Sequence, residues 1–524
     1  MNTTLETQAS NKNGVRRMII SLAVIALEVI FIILLLTKLN QHAAWIGALT
    51  RIVGLLLVLH IYNKPGTSTM KTPWIILILL MPILGTGLYL IVGLNGGTAK
   101  MRERYDEVNV RLLPKLSEGE VGVAAKAASA AVAARSGRWA GLSNYLLRKS
   151  KYPPYLNTDI VYYDDATKGL EAQKADLRKA EKFIFMEYHA IEDKESWHGL
   201  QEILEERVRA GVEVRVFYDD MGSIGFINTD FVERLEKVGI RCRVFNPFKP
   251  GLNLFLNNRD HRKITVIDGK VGFTGGYNIA NEYFNLTHPF GEWKDTGVRL
   301  EGDAVRSLTV TFLENWNAVT DGDRNDVDYD RYLPPVTYVA QEGAFVQPYA
   351  DSPLDDERVG EEVYINVVNK AERYCWFITP YLILTDEMIH ALCLAAKRGV
   401  DVRVVTPGIP DKKLVFEVTR SYYSVLACQG VRMYEWTPGF CHCKMCVADD
   451  EVATCGTINM DYRSLYHHFE NGCLYMFCQS VLDTRMDFER TIAQCTEVTE
   501  QYATNTGRLL KFKQMLLRLF APLM

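Results

Sequence analysis

Two short segments of this 524-residue chain carry the same polar residues at the same spacing. RDHRKITVIDGKVGFTGGYNIANEY holds His261, Lys263, Asp268, Gly275 and Asn278, and FCHCKMCVADDEVATCGTINMDYRS holds His442, Lys444, Asp449, Gly456 and Asn459. Each member of the second set lies 181 residues after its counterpart. A single histidine-lysine pair on a strand is ordinarily a surface accident. Five matched positions at one fixed offset are not what drift leaves behind, so the pattern reads as one working half-site present twice.

Alternation along a strand puts His261 with Lys263, and His442 with Lys444, on one face, and turns Cys441, Cys443 and Met445 to the other. Brought together, the two copies supply two imidazoles, two ammonium groups and the amides of Asn278 and Asn459. Ammonium and amide donors suit the charged oxygens of a phosphodiester and the charge that builds during displacement. One imidazole can attack phosphorus while the other protonates the leaving alkoxide and then activates the incoming hydroxyl. Such a two-step transfer through phosphohistidine needs no metal and no other cofactor. A reacting imidazole needs its far nitrogen held, and Asp295 in GEWKDTG and Glu470 in HHFENG are the candidate orienting groups. For Asp268 and Asp449 a turn-stabilising role is as open as direct chemistry. Gly275 and Gly276 read as close-packing turn residues. Cys441, Cys443 and Cys446 flank His442, but Cys441 and Cys443 point to the opposite face, toward the interior, and a metal on His442 would occupy the lone pair the chemistry needs. No bound metal is expected.

The elements that must position these residues recur too. FIFMEYHAI (183–191) reads as a buried strand, followed by a helix over 200–210 and the strand VEVRVFYDD (212–220). WFITPYLIL (376–384) aligns with the first strand, placing Tyr381 on Tyr188, and GVDVRVVTPG (399–408) aligns with GVEVRVFYDD. Short β-rich runs alternating with amphipathic helices predict α/β architecture. Two lobes follow, 155–335 and 336–505, each a mixed sheet flanked by helices. Residues 100–154, with AAKAASAAVAA, predict a helical linker.

Residues 1–99 form a different region. Apolar runs at 18–36, about 43–62 and 73–93 predict two or three transmembrane helices, hence a multi-pass cell-membrane protein. Basic clusters before the first run and after the third both favour the cytoplasmic side, and so do the eleven irregularly spaced cysteines, so the catalytic lobes are placed there. RLLKFKQMLLRLFAPLM (508–524) has the composition of a basic amphipathic helix on anionic lipid, with docking on the adjacent lobe as the alternative; the segment is taken as 506–524. A net charge of −4 offers no field for nucleic acid. Oligomeric state is not readable.

At these motifs the sequence resembles the phospholipase D superfamily, marked by a duplicated H-x-K-x-x-x-x-D pattern. More narrowly it is similar to the bacterial cardiolipin synthases of that superfamily, through PWIILILLMPILGTGLYLIVG, the Gly-Gly-Tyr-Asn after the first motif and Gly-Thr-Ile-Asn-Met-Asp-Tyr-Arg-Ser after the second. The resemblance covers residues 43–524. It implies two phospholipase D-like lobes and fusion of two phosphatidylglycerol molecules to cardiolipin with release of glycerol. It also implies an active-site set of His261, Lys263, Asp268, His442, Lys444 and Asp449, with His261 as nucleophile. The cysteines around His442 stand where the family usually has small residues such as serine. A phospholipase D or another phosphatidyltransferase is the alternative; a nuclease or an inactive lipid-binding scaffold fits less well.

Overall fold

The computed structural model describes residues 26, 27, 30, 33, 34, 44–64, 66–90, 96–247, 258–319, 326–335, 337–504 and 517–518. Its strands are β1 (Thr158–Tyr163), β2 (Phe183–Tyr188), β3 (Glu213–Asp219), β4 (Arg241–Phe245), β5 (Arg259–Asp260), β6 (Lys263–Ile267), β7 (Val271–Gly275), β8 (Glu292–Lys294) and β9 (Gly297–Gly302) in the first half. The second half adds β10 (Phe345–Asp351), β11 (Tyr374–Ile378), β12 (Asp401–Pro407), β13 (Arg432–Trp436), β14 (Gly439–Cys441), β15 (Met445–Ala448), β16 (Val452–Gly456), β17 (His468–Met476) and β18 (Cys495–Glu497).

Two mixed sheets result, ordered β1-β9-β7-β6-β2-β3-β4 and β10-β17-β16-β15-β11-β12-β13-β18. In both, a parallel run (β2-β3-β4, β11-β12-β13) adjoins an antiparallel hairpin (β6-β7, β15-β16). The parallel strands are nearly continuous apolar runs because helices cover both faces. The helix over Glu195–Arg209 spans the sequence expectation at 200–210. In the repeat, Gly399 does correspond to Gly211, since Val402 pairs with Cys375 as Val214 pairs with Ile184. The first-strand alignment is off by two residues. Tyr188 pairs with Lys263, and Ile378 pairs with Met445, the residue after Lys444, so Thr379 rather than Tyr381 occupies the place of Tyr188. A shift of two preserves the inside-outside alternation, which is why hydropathy could not detect it.

The sheets are not independent. β5 leaves the first lobe to pair in parallel with β17, and β14 leaves the second to pair with β8. One apolar core runs across both lobes and takes in Tyr105, Leu112, Val132, Trp139 and Leu146. The stretch expected as a linker is therefore helical, over Gly96–Leu112, Gly119–Arg135 and Gly137–Tyr145, but packed: Tyr105 donates to Asn315 at 2.7 Å and Arg138 pairs with Asp449 at 2.6 Å.

The N-terminal expectation needs correction. Among the described residues no helix is long and apolar enough to cross a membrane. The run at 18–36 lies almost wholly outside the described residues. The run at 73–93 is broken into helices Ser68–Leu80 and Pro82–Leu88, because Pro82 has no N–H to continue the ladder and Met81 leaves helical geometry (φ −131°, ψ 72°). With the helix Ala44–Asn63 these form a small hairpin around Ile61, Ile78 and Tyr89. Gly85 allows the close crossing, since a Cβ there would lie 2.7 Å from the Ile78 backbone. The basic C-terminal segment also lies outside the described residues except for Leu517 and Arg518. Arg518 stacks 4.6 Å from the Tyr422 ring centre and donates to the Ser421 carbonyl.

Candidate active site

The two histidines sit where the chain changes sheets. His261 and Arg262 fall between β5, which is paired to the second lobe, and β6, which is paired in the first. His442 to Lys444 fall between β14 and β15 in the mirror arrangement. Each histidine N–H is then held by the opposite lobe, His261 by the Phe469 carbonyl at 2.9 Å and His442 by the Lys294 carbonyl at 2.8 Å. The side chains follow the same exchange. His261 Nδ1 lies 2.9 Å from both oxygens of Glu470, and His442 Nδ1 lies 2.7 Å from Asp295 Oδ2. Each orienting carboxylate thus serves the histidine of the other lobe.

Both carboxylates are held in turn. Ser464 donates to Glu470 at 2.6 Å and Thr457 donates to it as well; the Thr296 N–H donates to Asp295 at 2.9 Å. The repeat explains Gly276: it occupies the position of Thr457, and a Cβ there would lie 2.1 Å from Asp295 Oδ1. One lobe uses a hydroxyl at that position and the other leaves room for the carboxylate itself.

Lys263 donates to the His261 carbonyl at 2.7 Å, and Lys444 to the His442 carbonyl. Lys444 Nζ also lies 2.8 Å from His442 Nδ1, a contact without a counterpart among those of His261. Burial, reinforced by Lys263, holds His261 well below the ordinary histidine value, and burial with Lys444 does the same for His442. Both rings are neutral at pH 7, as attack and proton uptake require. Burial pulls Lys263 down to about 7 against Glu470, and Lys444 to about 8 against Asp295. Asp295 is itself pushed up to about 7 by burial, opposed by Lys444.

His261, His442, Asn278 and Asn459 line one cavity of about 590 Å³. Asn278 is committed, accepting from the Ala190 N–H at 3.1 Å and donating to Tyr283 at 2.8 Å. Asn459 Oδ1 is buried with no hydrogen-bond partner among the described residues. The cavity also receives His189 and His468, which the repeat does not mark because neither belongs to the duplicated set. HHFENG contains His468 two residues before Glu470, and FIFMEYHAI contains His189 directly after the last residue of β2. Tyr283 and Trp293 meet the His442 ring at 5.2 and 5.3 Å between centres and wall it from solvent.

Asp268 and Asp449 lie elsewhere. Each stands at a hairpin turn with positive φ (54° and 57°) and points its carboxylate back at a strand start. Asp268 accepts the N–H groups of Glu181, Lys182 and Phe183 at 2.7–2.9 Å, and Asp449 those of Glu372, Arg373 and Tyr374 at 2.8–3.0 Å. Neither lines the cavity. They clamp the β6-β7 and β15-β16 hairpins to β2 and β11, which holds the preceding histidine-lysine segments in register. Asp268→Ala or Asp449→Ala strands three backbone donors, one buried and two part-buried, so each should cost about 2 kcal/mol or more of stability. The expected signature is a lowered unfolding midpoint in a denaturant titration with nearly unchanged turnover per folded molecule at low temperature.

Cys441 and Cys443 are fully buried with sulfurs 3.9 Å apart, and Cys443 contacts the Lys294 carbonyl, away from the cavity. Burial holds the Cys443 thiol well above its ordinary value, so it is not a ready thiolate ligand. Among the described residues the group whose donor atoms gather closely enough for a metal is His261, His468 and Glu470.

Similarity to known proteins extends over both lobes. The profile described as "Cardiolipin synthase, PLD-like domain" matches residues 174–291 and 364–491, and "Phospholipase D-nuclease N-terminal" matches 43–93. A cardiolipin synthase of Geobacillus kaustophilus is 32% identical over 475 residues, 90% of this chain and 92% of the relative. One from Staphylococcus aureus is 29% identical, covering 91% and 96%. Among solved structures, phosphatidylserine synthase of Haemophilus influenzae superposes with a TM-score of 0.52 at 16% identity, over 70% of this chain and 93% of that one, a likeness of fold alone.

Proposed function

The chain belongs to the cardiolipin synthase family with phospholipase D-like domains, and from that premise we propose how its two lobes carry out the reaction. It is a phosphatidyltransferase that makes cardiolipin. The proposed donor and acceptor are both phosphatidylglycerol.

One observation carries the proposal: two neutral imidazoles face one cavity, each with its Nδ1 held by a carboxylate of the opposite lobe. The roles differ because the Nδ1 environments differ. His261 Nδ1 meets the two Glu470 oxygens, both acceptors, so its proton stays on Nδ1 and a lone pair is kept on Nε2 for attack at phosphorus. His442 Nδ1 meets both an acceptor, Asp295, and a donor, Lys444, so either tautomer is supported. A group that must give a proton at Nε2 and later take one back needs that freedom.

In the first displacement His261 Nε2 attacks phosphorus, and neutral His442 gives its Nε2 proton to the departing glycerol oxygen while Lys444, 2.8 Å away, passes a proton to His442 Nδ1. In the second, His442 Nε2 takes the proton from the hydroxyl of a second lipid and returns its Nδ1 proton to Lys444, and the lipid oxygen displaces His261 from phosphorus, leaving cardiolipin. Lys263 stabilises the phosphoryl oxygens through both steps, joined by Lys444 while it is charged, with Asn459 Oδ1 left to meet a lipid hydroxyl. Phosphatidylglycerol as sole substrate should therefore yield cardiolipin and free glycerol in equal amounts. Phosphatidic acid as the main product would make water the acceptor and sink this reading.

The N-terminal hairpin supplies the lipid contact. Ile52, Leu55, Leu56, Leu59, Leu79 and Leu80 are each more than half exposed, an apolar surface out of place in water. The hairpin turn adjoins the site, since Gly66 and His468 line one 190 Å³ cavity. Deleting residues 18–93 should leave a folded body that is largely inactive on phosphatidylglycerol vesicles. Full activity of that truncation would refute the role.

A further inference from the structure

His468 has no task in the two displacements, yet it stands against a reacting ring. Its ring centre is 5.4 Å from that of His261. The side chain is 10% exposed, and among the described residues neither ring nitrogen has a partner within hydrogen-bond distance, the Glu470 carboxylate lying 3.7 Å from Nδ1. An orphaned buried polar group costs about 1–3 kcal/mol, so its retention calls for a ligand that completes it. His468 lines both the reaction cavity and the 190 Å³ cavity beside it, so a small ligand has a route to it.

The neighbours say which ligand. His261, His468 and Glu470 each present one donor atom, all within 4.8 Å of one another. Glu470 Oε1 lies 2.9 Å from His261 Nδ1 and 3.7 Å from His468 Nδ1. Donors about 2.0–2.2 Å from a tetrahedral zinc ion are about 3.4 Å apart, between those two distances. Two imidazoles and one carboxylate form a donor set for an open zinc site whose fourth position is filled from solvent. The hydroxyls of Ser464 and Thr457 already orient the carboxylate, as outer groups do around bound metals. Lys263 and Lys444 crowd the same space with positive charge, which favours an exchangeable ion over a permanent one.

We propose that His261, His468 and Glu470 form a reversible, inhibitory site for a divalent transition-metal ion of the zinc type. The inference rests on His261 being a reacting imidazole. When the ion binds, the single proton of the neutral His261 ring leaves Nδ1 and is taken up through solvent at Nε2, with no net release. The Nδ1 lone pair so freed bonds the ion. Nε2 then carries a hydrogen where it needs a lone pair, and attack on phosphorus stops. Lipid and ion compete for one imidazole through its two nitrogens.

The test uses chelator-stripped full-length protein in detergent, titrated with Co²⁺ and read by visible absorption. A band saturating at one Co²⁺ per chain, bleached by Zn²⁺, is expected in the wild type and should be absent from His468→Gln and Glu470→Gln, with circular dichroism melts showing each variant folded. In the lipid assay, Zn²⁺ should suppress wild-type turnover at least tenfold, and a chelator should reverse it. His468→Gln, compared with its own metal-free rate, should need at least tenfold more Zn²⁺ for half inhibition. No Co²⁺ band in folded wild type, a band surviving both substitutions, or equal Zn²⁺ sensitivity in wild type and His468→Gln would overturn the site. A proper Co²⁺ band in a protein that fails to make cardiolipin would instead overturn the reaction assigned above and leave the metal site standing.

Discussion

His261→Ala and His442→Ala should each reduce cardiolipin synthesis by about 10⁴-fold or more, because each removes a group that both displacements need. The two losses should nevertheless differ in kind. With a phosphatidyl ester of p-nitrophenol, whose leaving group needs no protonation, His442→Ala should still release one equivalent of p-nitrophenol per chain. It should then stall as phosphohistidine, since no base remains to activate the acceptor. His261→Ala should give no burst. The reverse pattern, with phosphate trapped on His442, would exchange the two roles. Mixing the single variants should restore nothing, because both histidines line one cavity within one chain. Recovery on mixing would show that sites form between chains.

Glu470→Gln should be nearly as damaging as losing the nucleophile, with kcat lowered about 10³- to 10⁴-fold and KM little changed. A carboxylate can only accept from His261 Nδ1, so it keeps the proton there and the lone pair on Nε2. A glutamine amide can present N–H instead, which draws the proton to Nε2 and removes the nucleophile without altering the shape of the site. Asp295→Asn should cost less, about 10²-fold, because Lys444 remains beside His442 Nδ1 and the acid-base role tolerates both tautomers. Equal losses would remove the reason for assigning different roles to the two rings. Both pairs bridge the lobes, so unfolding midpoints must accompany the rates, and a kinetic loss far larger than the stability change is the expected outcome.

The sequence by itself determined the duplication, the two histidine-lysine sets, Asn278 and Asn459 beside them, the α/β class, and Asp295 and Glu470 as the carboxylates that meet the histidine rings. Those features are local or periodic: residue types at fixed spacing and alternation of apolar positions carry them. Four matters depended on tertiary structure. Asp295 serves His442, and Glu470 serves His261, because the chain crosses between sheets at each histidine, and no spacing along one strand records which sheet the next residue joins. Asp268 and Asp449 sit in the motif yet spend their charge on backbone N–H groups about 80 residues away in sequence, which only the folded hairpin brings near. His468 gains its place from β17 lying beside β5, a pairing between lobes. The apolar N-terminal run ends its helix at Met81 because one missing N–H at Pro82 outweighs average hydropathy, a quantity that counts side chains and not hydrogen bonds.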